Sequence, residues 1–199
     1  MIIYSFQSKS ILNYIYDNKT YITDIDLFEN HYNKDEIKEW KQAYDWMIEK
    51  MIKKIGKPDN PEIKYPIWGW YRYNWFCPPK FNVKNISSLP YESDWEVMLK
   101  LNIPDNKVVL SDELQWTSGP LNNFFLCSKY VSSEEEFDKE YNAFESLDIS
   151  EKQKAIYKSW DIIFDIAPFD NGYSRQGQYV QATFWEIKPE YILECFINN

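Results

Sequence analysis

The chain has 199 residues, of which 44% are apolar and 27% charged, and its formal net charge is −9. This length and balance predict one domain, spanning residues 1–199, with a buried core. The acidic charge argues against general binding to duplex DNA, because proteins that hold the phosphate backbone usually present a basic face. A narrow, lysine-lined groove for a single strand stays open as a lesser alternative.

The three cysteines, Cys77, Cys127 and Cys195, lie far apart, and the chain has a single histidine. This set predicts no metal site, because structural zinc sites place cysteines and histidines in closely spaced pairs. An odd, unpatterned set of cysteines is typical of a reducing compartment. No signal peptide and no run of about twenty apolar residues is recognised. We therefore expect a cytoplasmic protein without a membrane partner.

The first part of the chain predicts a strand over Ile2–Phe6 and then a short helix that begins near Ser8 or Ser10. The clearest helix is predicted from Asp35 to Ile55. Apolar residues recur there at the i, i+3, i+4 spacing of one buried face, and Gly56 follows where a helix commonly ends. This helix is predicted to be core architecture.

The segment Tyr65–Trp75 is a dense run of aromatic residues. A proline and a glycine inside it argue against a helix, so an extended strand is predicted. Two interpretations stay open: large rings that fill a core, or a stacking surface for a base, a nucleotide or a sugar. If side chains alternate along the strand, Trp68, Trp70 and Arg72 share one face. We assign that face to function and the opposite face to the core.

The remaining pattern mixes strands and helices, which predicts an α+β fold with a mixed, mostly antiparallel sheet and packed helices. The later elements predicted are strands over Trp95–Ile103, Lys107–Leu110 and Gln178–Ile187, and helices over Leu121–Leu126, Ser132–Phe144, Ser150–Phe164 and Tyr191–Phe196.

The only two arginines are Arg72 and Arg175, and every other basic residue is lysine. Arginine binds carboxylate or phosphate groups in a bidentate way, so both are candidate ligand contacts. Ordinary salt bridges are an equally weighted alternative. Asp112 follows a predicted strand, where ligand-binding loops often begin, and Glu113 comes directly after it. The favoured interpretation of Asp112 is the N-cap of the next helix.

Several motifs follow one another along the chain: Ala43–Met47, Tyr65–Tyr71, Val109–Asp112 with Trp116, Ser159–Trp160 and Gln181–Ile187. Their order resembles the bacterial family of unknown function that is numbered 3841. That resemblance implies no activity. It leads us to expect a histidine after Trp116, where this chain has Thr117.

A second resemblance is to ADP-ribosyltransferase-like proteins. It rests on a first strand that ends in the polar residue Gln7, a helix directly after it, and a late strand with Gln181, Ala182 and Phe184. The resemblance implies an ADP-ribosyltransferase-like fold with NAD as the candidate cofactor. In such a protein Gln7 would contact the ribose, Tyr65 or Tyr71 would pack against the nicotinamide, and Glu186 would be the catalytic carboxylate.

Strand alternation places Glu186 on the face opposite Gln181. The position that matches the catalytic glutamate of nucleic-acid-modifying relatives is Thr183, which cannot act as a general base. A β-bulge before Glu186 would bring the two side chains to one face, but the sequence shows no sign of it.

These patterns predict a pocket for a nucleotide-like ligand, with ADP-ribosyl transfer or NAD cleavage as the first chemistry to test. The alternative is a protein-interaction or regulatory domain without catalysis. The candidate catalytic residues are Glu186 and Gln181, and the candidate ligand contacts are Gln7, Tyr65, Trp68, Trp70, Arg72, Asp112 and Arg175.

Overall fold

The computed structural model describes residues 1–23, 34–82 and 96–198, with the backbone alone for residues 34–39. The strands are β1 (Ile2–Gln7), β2 (Ile67–Arg72), β3 (Val97–Asn102), β4 (Val109–Asp112), β5 (Phe169–Asp170), β6 (Arg175–Gln176), β7 (Val180–Phe184) and β8 (Ile192–Ile197). Six of them form one sheet in the order β4-β7-β2-β1-β3-β8, while β5 and β6 form a separate hairpin. Every pair of neighbouring described strands is antiparallel.

The described helices pack around this sheet, which makes the fold α+β, as predicted. The predicted long helix from Asp35 to Ile55 is confirmed within one residue at its start. None of the described helices has both the length and the apolar character needed to cross a membrane. The helices are α1 (Ile11–Tyr16), α2 (Lys34–Ile55), α3 (Glu113–Ser118), α4 (Glu134–Glu145) and α5 (Ile149–Ser159), with 3-10 turns at Asp105–Lys107, Trp160–Phe164 and Pro189–Tyr191.

Both faces of the sheet are covered. Cross-strand partners share a face, and the register pairs Tyr4 with Trp70, Trp70 with Gln181, and Gln181 with Ser111. We call the face that carries these four residues the indole face. Buried residues of α2, α3 and the turn at Trp160–Phe164 pack on it, and the opposite face packs against α1.

Two predicted elements are wrong. Residues 192–196 lie in the edge strand β8 rather than in a helical turn, because pairing with β3 supplies backbone hydrogen bonds that a local helix would otherwise provide. Tyr191 ends the 3-10 turn that precedes this strand. Leu121–Leu126 is not helical; its backbone turns back on the end of α3, with the Leu121 N–H donating to the Trp116 carbonyl at 3.2 Å. The predicted strand start at Trp95 lies outside the described residues.

A β-bulge in β2 changes the face on which Arg72 lies. Trp70 pairs with Gln181, but Arg72 pairs with the adjacent Val180, because the register shifts by one residue between them. Trp68 pairs with Thr183 and stays on the indole face with Trp70. The expected row of Trp68, Trp70 and Arg72 is therefore interrupted before the arginine.

Candidate ligand-binding cleft

A cleft of about 270 Å³ lies on the indole face. Its floor comes from β2 and β7, and its walls come from β1, α2, α3 and the turn after α3. Five aromatic rings and one carboxylate contribute to the lining, and the described lining residues include no lysine and no arginine. The lining consists of Phe6, Tyr44, Trp68, Gly69, Trp70, Glu113, Trp116, Thr117, Leu121 and Gln181.

The rings at one end of the cleft support each other. The centroids of Trp68 and Trp116 are 4.9 Å apart and the rings are tilted by 40°. Tyr44 of α2 meets both indoles edge-on, at 6.1 Å and 6.0 Å. Such edge-to-face contacts between aromatic rings are favourable beyond the area they bury. The walls of the cleft are thus held in place before any ligand enters.

Asp112 positions α3 against the sheet. Its Oδ1 accepts a hydrogen bond from the Gln115 N–H at 2.9 Å, which makes it the N-cap, as predicted. Its Oδ2 accepts from the backbone N–H of Gly177. Burial raises the pKa of Asp112, while these backbone hydrogen bonds oppose the rise. Asp112 thus fixes the short helix that carries Glu113, Trp116 and Thr117 to the cleft.

Glu113 is the half-buried carboxylate of the cleft. Burial raises its pKa, the hydrogen bond from Thr117 opposes this rise, and the negative charge of Asp112 adds to it. The Thr117 hydroxyl donates to Glu113 Oε1 at 3.1 Å, one helical turn away. Within the described part of the chain Glu113 forms no ion pair. Its charge therefore has no compensating cation among the described residues that line the cleft.

Three buried polar atoms on the indole face lack a hydrogen-bond partner among the described residues. They are Nε1 of Trp68, Oε1 of Gln181 and the hydroxyl oxygen of Ser111. Trp68 and Gln181 line the cleft, and Ser111 lies opposite Gln181 across β4 and β7. Buried polar groups in folded proteins are nearly always paired with protein, water or ligand. Two of the side chains that line the cleft, Trp68 and Gln181, thus carry a buried polar atom without a partner among the described residues, and neither atom is itself exposed to the cleft.

The cleft brings together three of the residues proposed from the sequence, namely Trp68, Trp70 and Gln181. Tyr65 lies beside it, edge-on to Tyr44 at 5.8 Å. Gln7 is next to Phe6 on β1 but, by strand alternation, faces away from the cleft. The Gln7 side chain donates to the Ser5 hydroxyl at 2.7 Å.

The two arginines lie outside the lining. Arg72 donates from one guanidinium nitrogen to the carbonyls of Ile166 at 2.9 Å and Gly177 at 2.8 Å. Arg175 is exposed on the β5–β6 hairpin and pairs with Asp170 at 2.9 Å. Arg72 acts electrostatically on Asp112, which is also outside the lining, and the hydrogen bonds of both arginines are to other groups of the protein.

Glu186 follows the end of β7 and borders a separate depression. It pairs with Lys188 at 3.2 Å. The depression has a volume of about 20 Å³, and a cavity needs about 10–15 Å³ on this measure to hold one water molecule. Glu186 and Gln181, proposed together as catalytic residues, thus border different sites.

Several cleft residues were not proposed as site residues from the sequence: Phe6, Tyr44, Gly69, Glu113, Trp116, Thr117 and Leu121. Tyr44 was assigned to the apolar face of the long helix, and that pattern cannot tell a core ring from a cleft wall. A signal did exist for Glu113, since it follows Asp112 at the end of a strand. Thr117, where the resemblance led us to expect a histidine, also lines the cleft.

Comparison with known proteins identifies the family but no activity. No curated protein matches the chain. No solved structure matches it either. The sequence model described as "Domain of unknown function (DUF3841)" matches residues 2–193, so the chain belongs to this family.

Proposed function

We propose that the cleft binds a nucleotide-like ligand by taking up one planar nitrogen heterocycle, such as a nucleobase or a nicotinamide ring. The aromatic lining carries this proposal, because large rings with few polar groups are typical of small-molecule sites. Among the described residues, Nε1 of Trp68 has no acceptor and the side-chain oxygen of Gln181 has no donor. Heterocycles of this class carry both donors and acceptors on their edges. Because both protein atoms are buried, a ring would pair with them only after the two side chains turn toward the cleft.

The size and charge of the cleft favour recognition of the ring rather than of the whole nucleotide. Small-molecule pockets usually have about 300–1,000 Å³, and this cleft has about 270 Å³. A ring with a short substituent fits such a space, whereas sugars and phosphates would extend from its mouth. The described lining offers no basic side chain for a phosphate, and Arg72 and Arg175 have partners elsewhere.

The proposal is for binding, without an assigned reaction. ADP-ribosyl transfer and NAD cleavage need a carboxylate beside the reacting sugar. The carboxylate that the resemblance assigned to this role, Glu186, borders the separate depression, and no catalytic role is assigned to Glu113. NAD remains in the proposal as a ligand that could insert one of its two rings. Product analysis after long incubation with NAD tests for turnover independently of the binding measurement.

The test is a titration of the full chain with adenosine, nicotinamide and NAD, followed by calorimetry and by indole fluorescence. We expect saturable binding of at least one ligand, with a change in emission because three tryptophans line the cleft. Thr117→Trp places a large ring into the cleft from an exposed position of α3 and should abolish binding. Ser118→Trp is the matched control, because Ser118 is exposed on the same helix but is not part of the lining.

Two results would contradict the proposal. One is the absence of heat and of any emission change with all three ligands. The other is that the Thr117→Trp variant binds a ligand as strongly as the Ser118→Trp variant does. Either result would favour the alternative of a protein-interaction or regulatory domain.

A further inference from the structure

The electrostatic character of the cleft narrows the class of ring that it can accept. Glu113 is the only carboxylate among the described lining residues, and no basic residue stands with it. The groups that line the cleft from neighbouring elements include Phe6 of β1, Tyr44 of α2 and Gln181 of β7, none of which is a carboxylate or a basic group. The charge of Glu113 is therefore uncompensated within the described lining.

Neither Asp112 nor Arg72 relieves this imbalance. Asp112 is also a carboxylate, and its interactions are with the backbone N–H groups of Gln115 and Gly177. Arg72 acts electrostatically on Asp112, yet its guanidinium donates to the carbonyls of Ile166 and Gly177 rather than to Glu113. A partly desolvated carboxylate without a cation interacts strongly with any positive charge that enters its site.

The aromatic walls act in the same direction. The faces of tryptophan and tyrosine rings carry negative electrostatic potential and attract cations, tryptophan most strongly. Trp68, Trp70, Trp116 and Tyr44 all contribute to the lining. The net charge of −9 further favours the approach of cations over that of anions. A neutral ring would gain stacking alone, whereas a positively charged ring would gain stacking and the attraction of Glu113.

We propose that the ligand ring carries a positive charge, as an N-alkylated nitrogen heterocycle does, and that Glu113 is its counter-ion and the specificity-determining residue of the cleft. This inference rests on the proposed function, because it concerns the same cleft and the same ring. It adds a preference that the proposed function alone does not require: a cationic ring binds more tightly than its neutral counterpart.

The experiment compares two probes that share one ring, nicotinamide and its N-methylated cation, by calorimetric titration of the full chain at low and high salt. We expect the cation to bind at least tenfold more tightly than nicotinamide at low salt, with a smaller preference at high salt. Glu113→Gln should remove the preference while the neutral probe still binds, because glutamine can accept the Thr117 hydrogen bond. Glu134→Gln is the matched control: it removes a carboxylate from the first turn of α4, and Glu134 is not part of the cleft lining.

The outcomes separate this inference from the proposed function. Equal binding of the two probes, or a preference that survives Glu113→Gln, would overturn the role of Glu113 and leave ring binding intact. The absence of binding by either probe, with adenosine and NAD also inactive, would overturn both. Loss of the preference in Glu134→Gln as well would show that overall charge, rather than the cleft, selects the cation.

Discussion

The carboxylate of Asp112 accepts a hydrogen bond from the backbone N–H of Gly177, 65 residues further along the chain. The carbonyl of the same glycine accepts from Arg72 at 2.8 Å. One residue thus ties together the ends of β4 and β2 and the segment before β7. Because α3 begins directly after Asp112, this junction also determines where the wall of the cleft stands.

Asp112→Asn should destabilise the protein by about 1–3 kcal/mol, the usual cost of leaving a buried group unpaired. Asp112 is fully buried and accepts hydrogen bonds through both carboxylate oxygens. An asparagine has one oxygen and one NH2 group, so one backbone N–H would face another donor. Urea unfolding followed by circular dichroism measures the effect.

The control for that substitution is Asp148→Asn at the exposed N-cap of α5. Asparagine caps a helix about as well as aspartate, so the change there should stay within a few tenths of a kcal/mol. An Asp112→Asn variant no less stable than Asp148→Asn would show that the contact with Gly177 contributes nothing.

Gly177→Ala should be much more damaging than Gly172→Ala, although both glycines have positive φ, at 74° and 86°. A Cβ atom at Gly177 would lie 2.7 Å from the Ile166 carbonyl oxygen and 3.0 Å from that of Ala167, both backbone atoms. At Gly172 no atom lies within 4 Å. We expect Gly172→Ala to lower the free energy of unfolding by about 1–2 kcal/mol, from backbone strain alone. Gly177→Ala should lower it by at least about 3 kcal/mol, because overpacking adds to the strain.

The measurement is the free energy of unfolding of both variants under identical conditions. Comparable losses at the two positions would mean that the backbone shifts freely around Gly177. In that case the junction would not hold the cleft wall in place.

Arg72→Met should cost more stability than Arg175→Met. The first change removes the hydrogen-bond donor of two partly buried carbonyls, those of Ile166 and Gly177. Hydrogen bonds from charged groups contribute about 1.5–3 kcal/mol to stability. Arg175 forms an exposed pair with Asp170, and such pairs contribute about 0–1 kcal/mol. Thermal unfolding of the two variants compares them directly, and a larger loss for Arg175→Met would refute this assignment.

The two arginines also show where sequence reasoning about the site ends. Their rarity singled them out, and a bidentate role toward a ligand was inferred from their chemistry. The structure shows that Arg72 donates to main-chain carbonyls, which no side-chain pattern in the sequence reveals. The sequence does not reveal the bulge in β2 either. The register shift of one residue changes the face on which Arg72 lies, while the alternation of the residues before it stays intact.

Patterns with a physical period were the most reliable guide to the fold. The apolar stripe of α2 was recognised because it buries one continuous face, and strands that overlap β1, β3 and β7 were predicted as well. The edge strand β8 was mistaken for a helix, because its exposed and half-buried residues show no clear period and its pairing with β3 is a long-range interaction. Trp68, Trp70 and Gln181 were proposed as site residues because they are aromatic or polar residues of predicted strands. Tyr44 and Thr117 lie on helices, and only tertiary packing brings them to the cleft.

The half-buried carboxylate of Glu113 makes the stability of the protein depend on pH. Burial raises its pKa above the ordinary value, so the folded protein holds this proton more tightly than the unfolded chain does. The energetic penalty of the charged form is therefore absent below the ordinary pKa. It grows as the pH rises from the ordinary pKa to the raised one, and it is complete above that window. Glu113→Gln carries no charge, so its stability relative to the wild type should rise with pH across the window and then level off.

Glu136→Gln provides a control of opposite sign. Hydrogen bonds from the side chain and backbone of Ser132 lower the pKa of Glu136, so its contribution to stability is present above the ordinary pKa and is lost as the pH falls through the lowered one. This variant should be less stable than the wild type at neutral pH and approach it in acid. Thermal unfolding of the three proteins from acid to neutral pH distinguishes the two trends. If Glu113→Gln followed the same trend as Glu136→Gln, Glu113 would have a stabilising partner in the folded protein, and its role as an uncompensated charge in the cleft would be wrong.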